Sequence, residues 1–185
     1  IKNPYKSLAL LPLAAIIYLV RWFFVEFFGD VSAYISPYKS FKFNEIRDAI
    51  QKASYEVFES VYSDKSYDRI IIAGHSLGSV ISYDVLNSLI RNDEIYNTGY
   101  DVPKRTKAFV TFGSFLDKIV FNFEIQQKKL ALRDGILAAL QPMIRDYNLR
   151  PQKWINIYAN ADIFSGQLDY FDDPETSSDK RVQNI

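Results

Sequence analysis

Residues 69–91 read RIIIAGHSLGSVISYDVLNSLIR, and their pattern is the strongest indication of the fold. Its first part, residues 69–73, is a short apolar and β-branched run of the kind found in fully buried parallel strands. The five residues from Gly74 to Gly78 follow at once, and apolar residues then recur at helical spacing as far as Arg91. The stretch predicts a strand, a tight turn and a helix in immediate succession.

Two further apolar runs predict strands, AFVTF at 108–112 and WINIY at 154–158. Helical patterns occupy residues 43–61, 79–91 and 116–147, and residues 92–104 form a polar loop. Strands that alternate with helices indicate a parallel sheet covered by helices, so the expected fold class is α/β.

The N-terminal segment 8–28, LALLPLAAIIYLVRWFFVEFF, predicts an apolar helix. It is about long enough to span a bilayer, which requires roughly 20 apolar residues, although Arg21 and Glu26 interrupt it. Residues 1–28 are therefore expected to form a membrane-associated or lid helix, and residues 29–185 the main domain. A cleaved signal peptide fits poorly, since no small-residue cleavage site follows, so a cytoplasmic or membrane-associated location is favoured over secretion.

The composition excludes several classes of site. The chain has no cysteine and one histidine, so disulfides, thiolate sites and zinc centres are not expected, and no cofactor is implied. Lysine plus arginine and aspartate plus glutamate both number 22, which gives no electrostatic signal for nucleic acid.

The pattern G-x-S-x-G at residues 74–78 indicates a candidate catalytic serine. It holds a serine exposed on a strained strand-to-helix turn, with small residues two positions before and after it, here Gly74 and Gly78. Ser76 is thus the candidate nucleophile, at a helix N-terminus that favours negative charge, and the Leu77 amide is the candidate oxyanion donor. A bare glycine-rich turn with an inert serine is the alternative.

The segments GHSLGSVISYDVL, TFGSFLDKI and WINIYANADIFSG resemble lipase- and esterase-type serine hydrolases of the α/β-hydrolase superfamily. The resemblance covers roughly residues 29–166 and implies a catalytic triad in the chain order Ser, Asp, His. It puts Ser76 on the nucleophile and Asp162, after the third strand, on the acid. Asp117, which follows the second strand, is the competing acid.

The resemblance puts the histidine after the acid, yet no residue from 163 to 185 is a histidine. His75 precedes the nucleophile and should point in another direction. We therefore expect a fragment that lacks the early strands and the C-terminal histidine, in keeping with the start at Ile1, and that is inactive alone.

The acidic tail, which includes Asp169, Asp172, Asp173, Glu175 and Asp179, is expected to be a solvated face.

The expected function is serine-dependent hydrolysis of a carboxylic ester, a small molecule or a lipid, with membrane contact through residues 8–28. Acyl transfer to another acceptor would use the same residues. The alternative, from a different class, is a non-catalytic hydrolase-like module that binds a partner or a membrane through its apolar N-terminus.

Overall fold

The computed structural model describes residues 10–35, 41–119, 141–162, 165–173 and 178–185. The chain divides into two compact units, Ile1–Ala49 and Ile50–Ile185. Helix α1, Leu10–Ile35, belongs to the first unit, and helix α2, Phe41–Ser63, begins there and continues into the second. Within the first unit Tyr34 is buried, and the Arg47 guanidinium lies 5.4 Å from the centre of its ring.

Helix α1 covers most of the predicted apolar segment, and its described side chains from 14 to 22 are all exposed. Among the residues that the structure describes, no helix has the length and hydropathy needed to cross a membrane.

The second unit is built on a parallel sheet of four strands in the order β1-β2-β3-β4. The strands are β1 Ile70–His75, β2 Thr106–Phe112, β3 Trp154–Ile157 and β4 Val182–Asn184. Helix α3, Leu77–Tyr96, connects the first two strands and packs against β1. The predicted α/β class with a parallel sheet is confirmed, and each of the three predicted strands lies within two residues of its expected bounds.

Short elements complete the unit. Helical turns occur at Val102–Arg105 and Pro142–Arg145, and 3-10 turns at Tyr147–Leu149 and Asp169–Phe171. Residues 116–119 are helical, and most of the helix predicted over 116–147 lies outside the described residues.

Aromatic packing fills the core beneath the sheet. Trp154 and Phe109 are fully buried, and the Trp154 ring lies 5.2–5.6 Å from the rings of Tyr83, Phe109 and Phe171. Burying aromatic side chains of this size is among the largest contributions that a core can receive. The cluster joins α3, β2, β3 and the 3-10 turn at 169–171 into one hydrophobic core.

Strand β1 is buried on one face only, so the prediction of a fully buried strand is wrong. Ile70, Ile72 and Gly74 point into the core, whereas Ile71 is 69% exposed and His75 is also exposed. The reason is that α3 covers one face of the sheet, and no described residue covers β1 on the other.

The C-terminal segment departs most from its prediction. Residues 182–184 form strand β4, which the sequence did not indicate, and Asp172 is buried rather than solvated. Arg150, itself fully buried, donates to Asp172 Oδ1 at 2.5 Å, and Asp172 Oδ2 accepts from the Val182 N–H at 2.9 Å. This ion pair is the reason that an acidic residue lies in the interior. Asp169, Asp173 and Asp179 are exposed, as predicted, and Glu175 lies outside the described residues.

Candidate active site

The carboxyl ends of the strands meet at one edge of the sheet, and the residues just beyond them stay in register. The Ser76 N–H donates to Phe112 O at 3.1 Å, and the Gly113 N–H donates to Ile157 O at 3.2 Å. The Tyr158 N–H donates to Ile185 O at 3.1 Å in the same way. The loops that follow β1, β2 and β3 therefore start side by side at this edge, where ligands of open α/β sheets bind.

Ser76 has an unusual backbone conformation. It lies between β1 and α3 with φ 52° and ψ −127°, a region that non-glycine residues rarely occupy. Such a conformation costs on the order of 1–3 kcal/mol and persists only where the surroundings enforce it. Here the Ser76 N–H is bonded to Phe112 O, and the Ser76 carbonyl accepts from Ser79 N–H at 3.1 Å.

The two glycines of the motif differ in their surroundings. A Cβ atom on Gly74 would lie 2.6 Å from the Ser79 Cα atom and 2.9 Å from its nitrogen, which only glycine avoids. A Cβ atom on Gly78 would meet no atom of the described residues within 4 Å. The expected steric need for a small residue therefore holds at Gly74 and not at Gly78.

Two buried hydroxyls support the turn from below. Ser79 Oγ donates to Ser76 O at 2.5 Å and is 2.7 Å from Ser114 Oγ, and both serines are fully buried. Ser114 Oγ also accepts from the Leu116 N–H at 3.2 Å. This pair ties the serine turn to the loop after β2. Neither residue could be predicted from the sequence, because their contact joins positions that are 35 residues apart.

The Ser76 side chain is half-buried, and its Oγ makes no hydrogen bond to any residue that the structure describes. Ser76 is the N-cap residue of α3, yet its side chain does not cap the helix. The first N–H groups of a helix lack partners within it and carry partial positive charge. The Leu77 N–H is the first of these groups, so the turn places it close to a Ser76 hydroxyl that has no hydrogen-bond partner in the described part of the chain.

His75 lies on the exposed face of β1. Its ring stacks on Phe112 with the centroids 5.0 Å apart, and Gly113, at φ 54°, packs beside its Nε2 atom. No hydrogen bond joins His75 and Ser76 in the described parts of the chain. The His75 ring thus contacts Phe112 and Gly113, and the expectation that another residue serves as the base stays a prediction.

The two candidate acids approach adjacent residues of one loop. Asp162 is half-buried, and its Oδ2 accepts from Ser165 Oγ at 2.7 Å. Asp117 packs against Gly166, where a Cβ atom would lie 2.7 Å from its Oδ2, and the same oxygen pairs with Lys118 Nζ at 2.7 Å. Asp117 Oδ1 is buried and has no hydrogen-bond partner among the described residues. Both carboxylates thus lie where the loops after β2 and β3 meet.

Comparisons of this chain with protein-family models, with curated proteins and with solved structures found no match. Within the described ranges, no group of three or more His, Asp or Glu side chains is placed to hold a metal ion.

Proposed function

We propose that this chain is part of an α/β-hydrolase and that Ser76 is the nucleophile of a site that cleaves carboxylic esters. The observation that carries the proposal is the backbone of Ser76, a non-glycine residue at φ 52° between a parallel strand and a helix. A nucleophile elbow needs this conformation, because it lifts the hydroxyl off the sheet edge and turns it toward the helix N-terminus.

The surroundings of the turn add independent support. A turn without chemistry has no need of backbone strain, whereas strained residues cluster at functional sites. Here the strain is maintained by close packing of Gly74 on Ser79 and by the buried Ser79 and Ser114 hydroxyls. These contacts fix the backbone of Ser76 and leave its Oγ available.

In the proposed reaction, Ser76 Oγ attacks the ester carbonyl carbon while a histidine accepts its proton. The Leu77 N–H contributes to the oxyanion hole, and Asp162 orients the histidine. Because the only histidine of the sequence stacks on Phe112, we assign the base to a residue outside this sequence. When the tetrahedral intermediate collapses, the ester C–O bond breaks and the alcohol leaves with the proton that the histidine returns. The acyl group on Ser76 then passes to water, or to another acceptor in a transferase, and the serine hydroxyl is regenerated.

Ester turnover tests the proposal in the natural protein, expressed from its complete reading frame. We expect Ser76→Ala to lower kcat for a short-chain p-nitrophenyl ester by about 10⁴-fold or more, as loss of a triad nucleophile does. The control is Ser60→Ala, which removes an exposed serine hydroxyl from α2 and should leave turnover unchanged. Equal turnover in the parent and the Ser76 variant would contradict the assignment.

A second candidate function rests on helix α1. Its large apolar side chains are exposed on consecutive positions, with Ile17 at 59%, Trp22 at 55% and Val25 at 63%. Nine successive exposed residues, 14–22, extend around the whole circumference of the helix. A helix that is apolar on every side is normally surrounded by protein or lipid. This exposure favours a module that associates with a lipid surface, with or without catalysis.

Sedimentation with liposomes tests lipid binding. Replacement of Ile17, Trp22 and Val25 by serine should release the protein from the pellet, because it removes apolar area that would enter the bilayer. The matched control replaces three comparably exposed apolar residues of the second unit, Val57, Tyr67 and Ile95, by serine. Release by both sets, or by neither, would count against a lipid-binding role for α1.

A further inference from the structure

A row of polar side chains crosses the sheet where apolar packing would be expected. Thr111 on β2, Asn156 on β3 and Asn184 on β4 occupy one register position across three strands. Thr111 Oγ1 donates to Asn156 Oδ1 at 3.0 Å, and Asn156 Nδ2 donates to Asn184 Oδ1 at 2.8 Å. Thr111 and Asn156 are fully buried. Buried polar groups are costly unless they are satisfied, so such a row needs an explanation.

The row holds the backbone of the loop that follows β3. Asn156 Nδ2 donates to Gly166 O at 2.9 Å, and Asn184 Oδ1 accepts from the Leu168 N–H at 3.0 Å. Asn184 Nδ2 also donates to Asp169 Oδ1 at 3.1 Å. Three bonds therefore attach residues 166–169 to the sheet through side chains rather than through strand pairing.

The attached segment leads directly to the candidate acid. Ser165 is buried, precedes Gly166, and donates its Oγ to Asp162 Oδ2 at 2.7 Å. The Asp162 carboxylate is thus hydrogen-bonded to Ser165, and the next residue, Gly166, is held by Asn156. Loop residues held in this way keep a catalytic group in position, and a misplacement of about 1 Å can cost about 100-fold in rate.

We propose that Asn156 is a positioning residue for Asp162: with Thr111 and Asn184 it anchors residues 166–169, directly after Ser165, and so fixes the acid of the site. This inference rests on the proposed function for its catalytic consequence. The anchoring itself depends only on the hydrogen bonds of the polar row.

The test is a double-mutant cycle on the rate at which a fluorophosphonate labels Ser76 in the natural protein. Asn156→Leu keeps the approximate volume and removes the amide, and we expect it to slow labelling about 10- to 100-fold. Asp162→Asn should slow labelling at least as much. If Asn156 acts through Asp162, the double variant should label at the rate of Asp162→Asn alone, since coupled residues are non-additive. Losses that multiply would overturn the inference.

The matched control is Asn87→Leu. Asn87 is a second buried asparagine, which donates to Tyr83 O at 2.9 Å and accepts from the Met143 N–H at 3.0 Å, away from the acid loop. Its substitution should leave labelling close to the parent rate, whereas an equal loss would show that any buried asparagine has this effect. Thr111→Val provides a milder variant that keeps Asn156, with a smaller loss of labelling expected in the same cycle.

Hydrogen–deuterium exchange separates this inference from the proposed function. We expect Asn156→Leu to increase exchange at the amides of residues 165–169, and Asn87→Leu to leave them protected. Unchanged exchange would overturn the anchoring, whatever the reactivity of Ser76. Absence of Ser76-dependent labelling in the parent would overturn the proposed function and the catalytic role of Asn156, and exchange would still decide the anchoring.

Discussion

Gly74 and Gly78 flank the same serine, but only Gly74 is held against neighbouring backbone. Gly74→Ala forces a Cβ atom onto the Ser79 backbone, so we expect it to lower the free energy of unfolding by about 1–3 kcal/mol or more. Gly78→Ala should raise that energy by up to about 1 kcal/mol, because alanine is the better helix former and the site is open. Urea denaturation of both variants measures the difference. Similar effects at the two positions would contradict the packing described for the turn.

Tyr83 makes stability sensitive to alkaline pH. Burial raises the pKa of its phenol well above the ordinary value of 10.0, so the folded protein keeps the proton that the unfolded chain loses. Ionisation of this phenol therefore leaves the free energy of unfolding unchanged below pH 10, and above that pH it lowers this energy by about 1.4 kcal/mol per pH unit. Burial also raises the pKa of Tyr62, which adds to the fall.

Tyr83→Phe should flatten this alkaline decline and lower stability near neutral pH by about 1 kcal/mol, through loss of the bond to Gln141 Oε1 at 3.0 Å. The measurement is the free energy of unfolding from pH 7 to 11. Tyr96→Phe, at a 72% exposed residue, is the control and should follow the parent. A Tyr83 variant with an unchanged decline would show that burial of this phenol does not set the pH dependence.

Strand β4 is linked to the interior by a buried ion pair as well as by its pairing with β3. The buried Arg150 donates hydrogen bonds to the Asp172 carboxylate and to the carbonyls of Phe171 and Met143. Asp172 in turn accepts from the Val182 N–H of the strand. Arg150→Met removes the close partner of the buried Asp172 carboxylate and leaves it only the half-exposed Arg181, whose Nε lies 3.7 Å from Oδ2. We therefore expect a loss of about 3–5 kcal/mol in the free energy of unfolding. The control is Arg145→Met, whose pair with Glu94 is about 40% exposed and should contribute about 1 kcal/mol or less. Equal losses would mean that β4 is held by other contacts.

The sequence predicted the elements that have strong local patterns. The continuous apolar runs identified β1, β2 and β3 to within two residues. Helix α3 extends to Tyr96, beyond the predicted Arg91, because Asp93 accepts from Thr98, Tyr100 and Asp101 and so supports its C-terminus. Strand β4 was not predicted, because a three-residue strand with one apolar residue shows no periodicity. Its position also depends on Arg150 and Asp172, which are distant in the sequence.

The candidate site also combines features that are local in the sequence with features that depend on contacts between distant residues. The serine turn is a local feature and could be predicted from five residues. The buried Ser79–Ser114 pair and the polar row through Asn156 join residues 35 and 45 positions apart, so they emerge only from strand order and register. The choice between Asp117 and Asp162 also depends on tertiary contacts. Asp162 contacts Ser165, and Asp117 contacts the adjacent Gly166.

The role proposed for Ser76 can be tested by identifying the residue that a fluorophosphonate modifies in the natural protein. Mass spectrometry of the intact adduct and of its proteolytic peptides gives both the stoichiometry and the position. We expect one phosphonyl group per chain, attached to Ser76 Oγ, and no adduct in Ser76→Ala. An adduct on another residue, or no adduct on the folded parent protein, would contradict the assignment of Ser76 as a nucleophile.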